Sequence, residues 1–435
     1  MGESMSQTAF ADLQVIDADT HFTEPHDLWT SRAPEGLAER LPRVVDLDGH
    51  PTWTVGATTL GRAMASSVID RDGNRCRGSS FLGWGFDDTH PGAYDVPTRL
   101  AVDLLGCAPG DEVITSPLTF SSDVAPLVRS GIVPAFVDVE PDTFQIDVDG
   151  IEAMVGPRTK AILAPDLVGN CPDWDRIRAI ANRHGLLVVE DSCDVLDSYL
   201  HGTRTGLRAD IVVTSFARSH AMTAAGNGGL IAVDDPDWLD QTLVRRRWGR
   251  RSETYMFGSR RGSDDRFGPL ADGTPYDLIF VFDDMGYNFE PSEIMAAYGL
   301  VQMDKLAEFN ARRRRTFAAL DRVLETHGDR VVRPRTTEGV DTTWMRYPFL
   351  LADGVDRTEA QEFFLARDIP TRMVWTGNIL RQPGFAGIAR RIPEGGLPNA
   401  DRVMDRALSL PTHHGLTSDD VGHMVGALTD WASAG

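Results

Sequence analysis

Between Leu104 and Val233, short β-branched runs alternate with helical stretches, and this rhythm constrains the fold more than any other feature of the chain. Ala108 to Phe120 reads as a turn, a strand and a polar loop. A helical stretch to Ser130 follows, then strand Val133 to Val139, helix Gly150 to Met154 and strand Ala161 to Ala164. Helix Trp174 to His184 and strand Leu186 to Val189 continue the pattern. Strands interleaved with helices at this spacing predict an α/β fold with a mostly parallel sheet. Ligands of such sheets sit beyond the carboxyl ends of the strands. Thr115 to Phe120, Asp191 to Asp194 and Ser215 to His220 all fall at such ends.

The 435 residues suffice for two or three domains, or for one large enzyme subunit with an appended lobe. With 64 acidic against 43 basic residues the net charge is −21, which argues against nucleic acid or an anionic membrane surface as a general partner. The four cysteines, Cys76, Cys107, Cys171 and Cys193, are widely spaced and contain no CxxC, so free thiols in a reducing compartment are expected. Met1 to Ala11 has neither a basic region nor an apolar core, and no stretch is long and apolar enough to span a bilayer. The expectation is a soluble, cytoplasmic protein.

Chemistry concentrates in residues 210 to 233. The runs Ile211 to Thr214 and Leu230 to Val233 read as strands. Between them lie Ser215, Ser219, His220, Thr223 and the glycines Gly226, Gly228 and Gly229. Clustered glycines permit close backbone approach, which suits a loop around a ligand; the plain alternative is a hairpin or crossover loop. Only two lysines, Lys160 and Lys305, occur in the chain, and neither lies in this loop. A histidine here offers an acid or base near neutral pH, where a lysine would offer a covalent imine.

Upstream, Glu190-Asp191 closes the apolar run Leu186 to Val189. With Ser215 and His220 this combination resembles the DegT/DnrJ/EryC1/StrS sugar aminotransferase family of fold-type-I pyridoxal-phosphate enzymes. Further matching words are Pro109-Gly110-Asp111-Glu112-Val113-Ile114, Gly286-Tyr287-Asn288-Phe289 and Thr376-Gly377-Asn378-Ile379-Leu380-Arg381-Gln382-Pro383. The last resembles the NDP-4-keto-6-deoxyhexose 3-dehydratase branch, in which histidine replaces the cofactor lysine. The resemblance implies a fold-type-I large domain, a small C-terminal domain, and pyridoxal or pyridoxamine phosphate as cofactor. It implies Asp191 as partner of the pyridine nitrogen, Ser215 as phosphate ligand and Phe120 stacked on the ring. Asp194 falls near the ring hydroxyl, and His220 stands five residues after Ser215 at the lysine position. Asn288 would reach the phosphate of a neighbouring subunit, hence a homodimer. A nucleotide-linked 4-keto-6-deoxyhexose as substrate and glutamate as amino donor complete the implied chemistry, a C-3 dehydration. An aminotransferase-like or repurposed enzyme and a non-catalytic member are the alternatives.

Each residue also has a plainer reading. Phe120 could be core packing, Asp191 and Asp194 helix caps, Asn288 a turn residue and His220 a structural histidine. Two acids directly after a buried strand fit a site better than caps, and His220 at the lysine position fits base chemistry better. No cysteine follows Cys193, and one thiolate cannot hold an iron–sulfur cluster, so none is expected.

Residues 1–103 form an atypical lobe. Val15 to Pro25, with Asp19 and His21 two apart, resembles the opening segment of the amidohydrolase family. Two side chains supply too few ligands for a catalytic metal, and none is expected. The family's Gly-Ser phosphate loop has no clear counterpart beyond Gly78-Ser79-Ser80. The large domain is expected over 104–325 and the small α+β domain over 326–435. Within these, residues 245 to 285 read as a long excursion near the site mouth. Pro291 to Arg322 reads as helical, Arg312 to Arg315 as a solvated helix end, and Thr371 to Trp375 as a strand.

Overall fold

The computed structural model describes residues 97–258 and 266–434, with strand segments at 43–47, 50–55, 58–62, 68–69 and 75–76. The chain divides into two compact units, Met1–Asp95 and Val96–Gly435. In the first, Arg43–Leu47, His50–Val55 and Thr58–Arg62 form an antiparallel sheet, and Val68–Ile69 pairs with Arg75–Cys76. Asp19, His21 and Gly78 to Ser80 lie outside the described residues.

The second unit opens earlier than Leu104, with helix α1 (Pro97–Leu104). Its central sheet has six strands: β1 (Glu112–Thr115), β2 (Val133–Phe136), β3 (Thr159–Pro165), β4 (Leu187–Asp191), β5 (Ile211–Ser215) and β6 (Gly229–Val233). The spatial order is β6-β5-β4-β3-β1-β2, parallel throughout except for the antiparallel edge strand β6. Ile114, Ile162 and Val188 face one layer of core, with Trp174. Val113, Leu163, Val189 and Val213 face the other, with Ala101 and Leu105 of α1 and the turn after it. Strands covered on both faces need apolar residues at consecutive positions, which is why their sequences read as unbroken runs. Each fully buried aliphatic side chain contributes roughly 1.5–3 kcal/mol.

The crossovers are locally encoded. Helix α2 (Ser121–Arg129) begins directly after Phe120. Helix α3 (Trp174–His184) starts where the Asp173 side chain accepts the Arg176 N–H. It stops at Gly185, whose φ of 63° favours a residue without Cβ. The expected helix at Gly150 to Met154 is shorter and earlier, Val148–Ile151, followed by a 3₁₀ turn.

Several expectations need correction. The helical stretch from Pro291 breaks at Asp304–Lys305 into α4 (Glu293–Met303) and α5 (Leu306–Leu324). Arg312 to Arg315 is therefore mid-helix, and it is not uniformly solvated: Arg313 is only 4 % exposed. Thr371 to Trp375 is not a strand, because only Arg372 makes a bridge, to Ser409, and Trp375 turns into the left-handed region at φ 46°. Residues 245–258 and 266–285 are more ordered than an irregular excursion. They include helix Ser252–Met256 and the hairpin Phe267–Pro269 with Pro275–Asp277. There, fully buried Glu253 binds both Arg246 and Arg247. Toward the C-terminus β7 (Val331–Val332), β8 (Arg346–Leu351) and β9 (Ala407–Pro411) make an antiparallel sheet. It packs with α5 and helix Ser418–Ser433 around Tyr347, Phe349 and Trp431.

Candidate active site

The site is built at the carboxyl ends of β1, β4 and β5. After β4 the chain does not enter a helix, so neither Asp191 nor Asp194 is a cap. Asp191 Oδ1 accepts the Cys193 N–H at 2.9 Å and the residue is 6 % exposed. Burial raises its proton affinity above the ordinary carboxylate range, against the opposing pull of Cys193 and Asp123. Asp123 comes from α2, where Thr119 Oγ1 donates to it at 2.5 Å.

Asp194 is held more tightly. Its Oδ2 accepts the Val168 N–H at 2.8 Å and the Trp375 indole N–H at 2.7 Å. The Val168 donor depends on Gly169, whose φ is +95° and where a Cβ would stand 2.7 Å from the Thr343 carbonyl oxygen. Only glycine lets this segment pass there.

Asp194 Oδ1 faces His220 Nδ1 at 3.5 Å, and neither buried atom has a hydrogen-bond partner. His220 rides on the loop joining β5 to β6, an antiparallel pair, so the hairpin reading of this connection is the observed one. The loop is folded on itself: Ser215 Oγ accepts the Ala217 N–H at 3.2 Å, and the His220 N–H donates to the Ala217 carbonyl. Burial disfavours the His220 cation, but Asp194 first, then Asp191 and the Cys193 backbone, outweigh it. The imidazole holds its proton above the usual histidine range.

Trp375 closes the group. Its ring stacks 6.5 Å from His220 and meets Phe120 edge-on at 5.4 Å. Phe120 is 43 % exposed and not a core residue. The structure thus brings together Phe120, Asp191, Asp194 and His220, with Ser215 at the root of the same loop. Asn288 does not join them within this chain. It is exposed and pairs through its backbone with Arg247.

Sequence reasoning missed the contact of Trp375 with Asp194 and the burial of Arg313. Trp375 directly precedes the motif Thr376 to Pro383, which was the available signal. Arg313 lay hidden in a run of four arginines. Lys160 and Lys305 are both exposed. Cys193 is no thiolate, since burial and the charge of Asp191 push its thiol far up. Among the described residues no cluster of three or more His, Cys, Asp or Glu could hold a metal. No helix among them is long and apolar enough to cross a membrane.

Residues 97–429 match the DegT/DnrJ/EryC1/StrS aminotransferase family. The chain belongs to that family. It is 33% identical over 322 residues to the lipopolysaccharide biosynthesis protein RfbH of Salmonella typhimurium, covering 73% of each chain. It is also 33% identical to a dTDP-4-dehydro-2,6-dideoxy-D-glucose 3-dehydratase of Saccharopolyspora spinosa, over 75% of this chain and 70% of that one. In fold it resembles the E. coli GDP-4-keto-6-deoxy-D-mannose-3-dehydratase with bound hydrated PLP. The TM-score is 0.69 at 24% identity, over 76% of this chain and 84% of that one. The family is one of sugar-modifying pyridoxal-phosphate enzymes, and its fold is the mostly parallel α/β fold described above.

The residues present fit such a cofactor. Phe120 offers an exposed aromatic face, and Ser215 a hydroxyl at a strand end. Asp191 is a buried carboxyl whose raised proton affinity a neighbouring pyridinium would reverse.

Proposed function

We propose that the protein is a pyridoxamine-phosphate-dependent lyase that removes the C-3 hydroxyl of a nucleotide-linked 4-keto-6-deoxyhexose. The observation that carries this reading is His220, a histidine held against Asp194 in the cofactor loop of a chain whose two lysines are both exposed. The cofactor supplies the amine that captures the sugar ketone and a ring that accepts the developing charge. Phe120 covers one face of that ring. Asp191 keeps the pyridine nitrogen protonated, and Ser215 binds the phosphate. His220 takes the proton at C4′ and passes it towards the departing hydroxyl. Asp194, fixed by two donors, aims the imidazole and stabilises its cation.

The reading includes a homodimer in which Asn288 reaches the phosphate site of the partner. Its support is α4, an apolar helix that lies open on the single chain. Ile294 is 80% exposed, Leu300 66% and Val301 51%. Glutamate would regenerate the amine. A boundary between a large and a small domain at 325 and a cytoplasmic location belong to the same proposal.

The test is an assay with candidate 4-keto-6-deoxy nucleotide sugars, pyridoxal phosphate and glutamate, read by product mass. Loss of the C-3 oxygen is expected, and a simple amino sugar as sole product would transfer the chain to the aminotransferases. Borohydride reduction and peptide mapping should find no pyridoxyl-lysine at Lys160 or Lys305.

A further inference from the structure

Helix α5 touches both loops of the site. Asn310 Nδ2 donates to the Leu196 carbonyl at 3.4 Å, beyond β4. Arg313 donates to the Ala221 carbonyl at 3.3 Å, directly after His220, and to the Met345 carbonyl at 3.4 Å, just before β8. Its neighbours in sequence face outward to ordinary partners, Arg312 to Glu308 and Arg314 to Asp341. Arg313 alone turns in, and it makes no ion pair among the described residues. Both hydrogen bonds are long, and its buried Nε has no partner. A desolvated guanidinium with such weak bonds is costly unless its charge serves another group.

Asp194 is the acid whose field acts on Arg313. Around His220 stand Asp191 at the end of β4, Asp194 and Cys193 from the turn after it, Trp375 from the C-terminal part and Arg313 from α5. Asp123 of α2 lies behind Asp191. Around Arg313 stand Asp194, His413 and His414. Burial and then Arg313 itself hold both of these histidines neutral, His414 down at about 4. The acids of this cluster therefore face His220, which titrates, and Arg313, which does not. Burial lowers Arg313 only to about 10, so it stays charged.

We propose that Arg313 is a positioning residue that supplies the standing counter-charge of Asp194, so that His220 can release its proton, while its fork clasps the carbonyl after His220. Without that charge Asp194 would bind the imidazolium alone, and His220 would stay protonated where a base is needed. The inference rests on the role of His220 as base. Its test needs neither cofactor nor sugar, so the two can fail separately.

The experiment is an NMR titration of carbon-labelled histidine in the purified full chain, with His220→Asn identifying the resonance. Arg313→Gln keeps a donor for the carbonyls and removes the charge. It should raise the His220 midpoint by about one pH unit, tenfold in proton affinity. Arg313→Met, similar in length and uncharged, should do the same, and Arg313→Lys should leave the midpoint where it is. An unchanged or lowered midpoint in the folded uncharged variants overturns the proposal, as does Lys shifting it as far as Gln. Failure of both uncharged variants to fold would make Arg313 a folding element only, and would overturn it too.

Discussion

Glu190 and Asp191 are consecutive acids on one strand, and they meet opposite fates. Alternation along β4 sends Glu190 to the face of Val188 and Trp174, and Asp191 to the face of Val189 and α2. On the sealed side Glu190, fully buried, meets Asp166, also fully buried. The Trp174 indole donates to Asp166 Oδ1 at 2.8 Å. Two ionised carboxylates could not share that space. Burial, then the charge of Glu190, raises Asp166 far above the ordinary range, and burial lifts Glu190 to about 7. Both carboxyls hold their protons more tightly than they would in water. On the open side, towards the candidate site, Asp191 lies near Asp194 and His220, and the proposed function sets it against the cofactor. The same side chain chemistry thus becomes a brace of raised proton affinity on one face and, in the proposed function, a cofactor ligand on the other.

The largest effect should come from the open face. His220→Asn should slow dehydration by roughly 10²- to 10⁴-fold while leaving the unfolding midpoint unchanged. Steady-state rates beside a denaturant curve check this. Full activity in the variant would return His220 to a structural role and erase the contrast.

The sealed face should answer in stability and pH. Glu190 holds its proton more tightly folded, at about 7, than unfolded, near 4.5. The stability it contributes is therefore complete below pH 4.5 and is lost as pH rises through 7. Each pH unit between those two values is worth about 1.4 kcal/mol, so the loss amounts to a few kcal/mol. Glu190→Gln should flatten that part of the curve and gain stability over the natural chain at pH 8. Urea unfolding at pH 5 and pH 8 decides it, and parallel curves for the two proteins would refute the raised proton affinity of Glu190.

The smallest effect concerns the donor behind that pair. Trp174→Phe removes the N–H that Asp166 accepts and should cost about 1–3 kcal/mol, with no change in the His220 titration. A shifted His220 midpoint would mean that the two faces communicate through β4.

Much of this molecule was legible in its sequence. The alternation of runs specified the parallel sheet, because strand and helix periods are local properties that each segment carries by itself. It also placed Asp191, Ser215 and His220 at strand ends, since a residue just past a buried run leaves the sheet there. Lysine counting located the chemical departure of the site. The rest was decided only by packing. Thr371 to Trp375 has the residues of a strand, yet Trp375 takes a left-handed turn so that its indole reaches Asp194, 181 residues away. Arg313 is one of four adjacent arginines, and nothing in that run says which one turns inward. The surface beneath α5 decides it, and the parts of that surface, Ala221 and Met345, are far apart in the chain. Whether Glu190 or Asp191 would be sealed was likewise undetermined until Asp166 and Trp174 closed over one face. Periodicity tells a side chain which way to point, but its proton affinity depends on what distant segments bring to meet it.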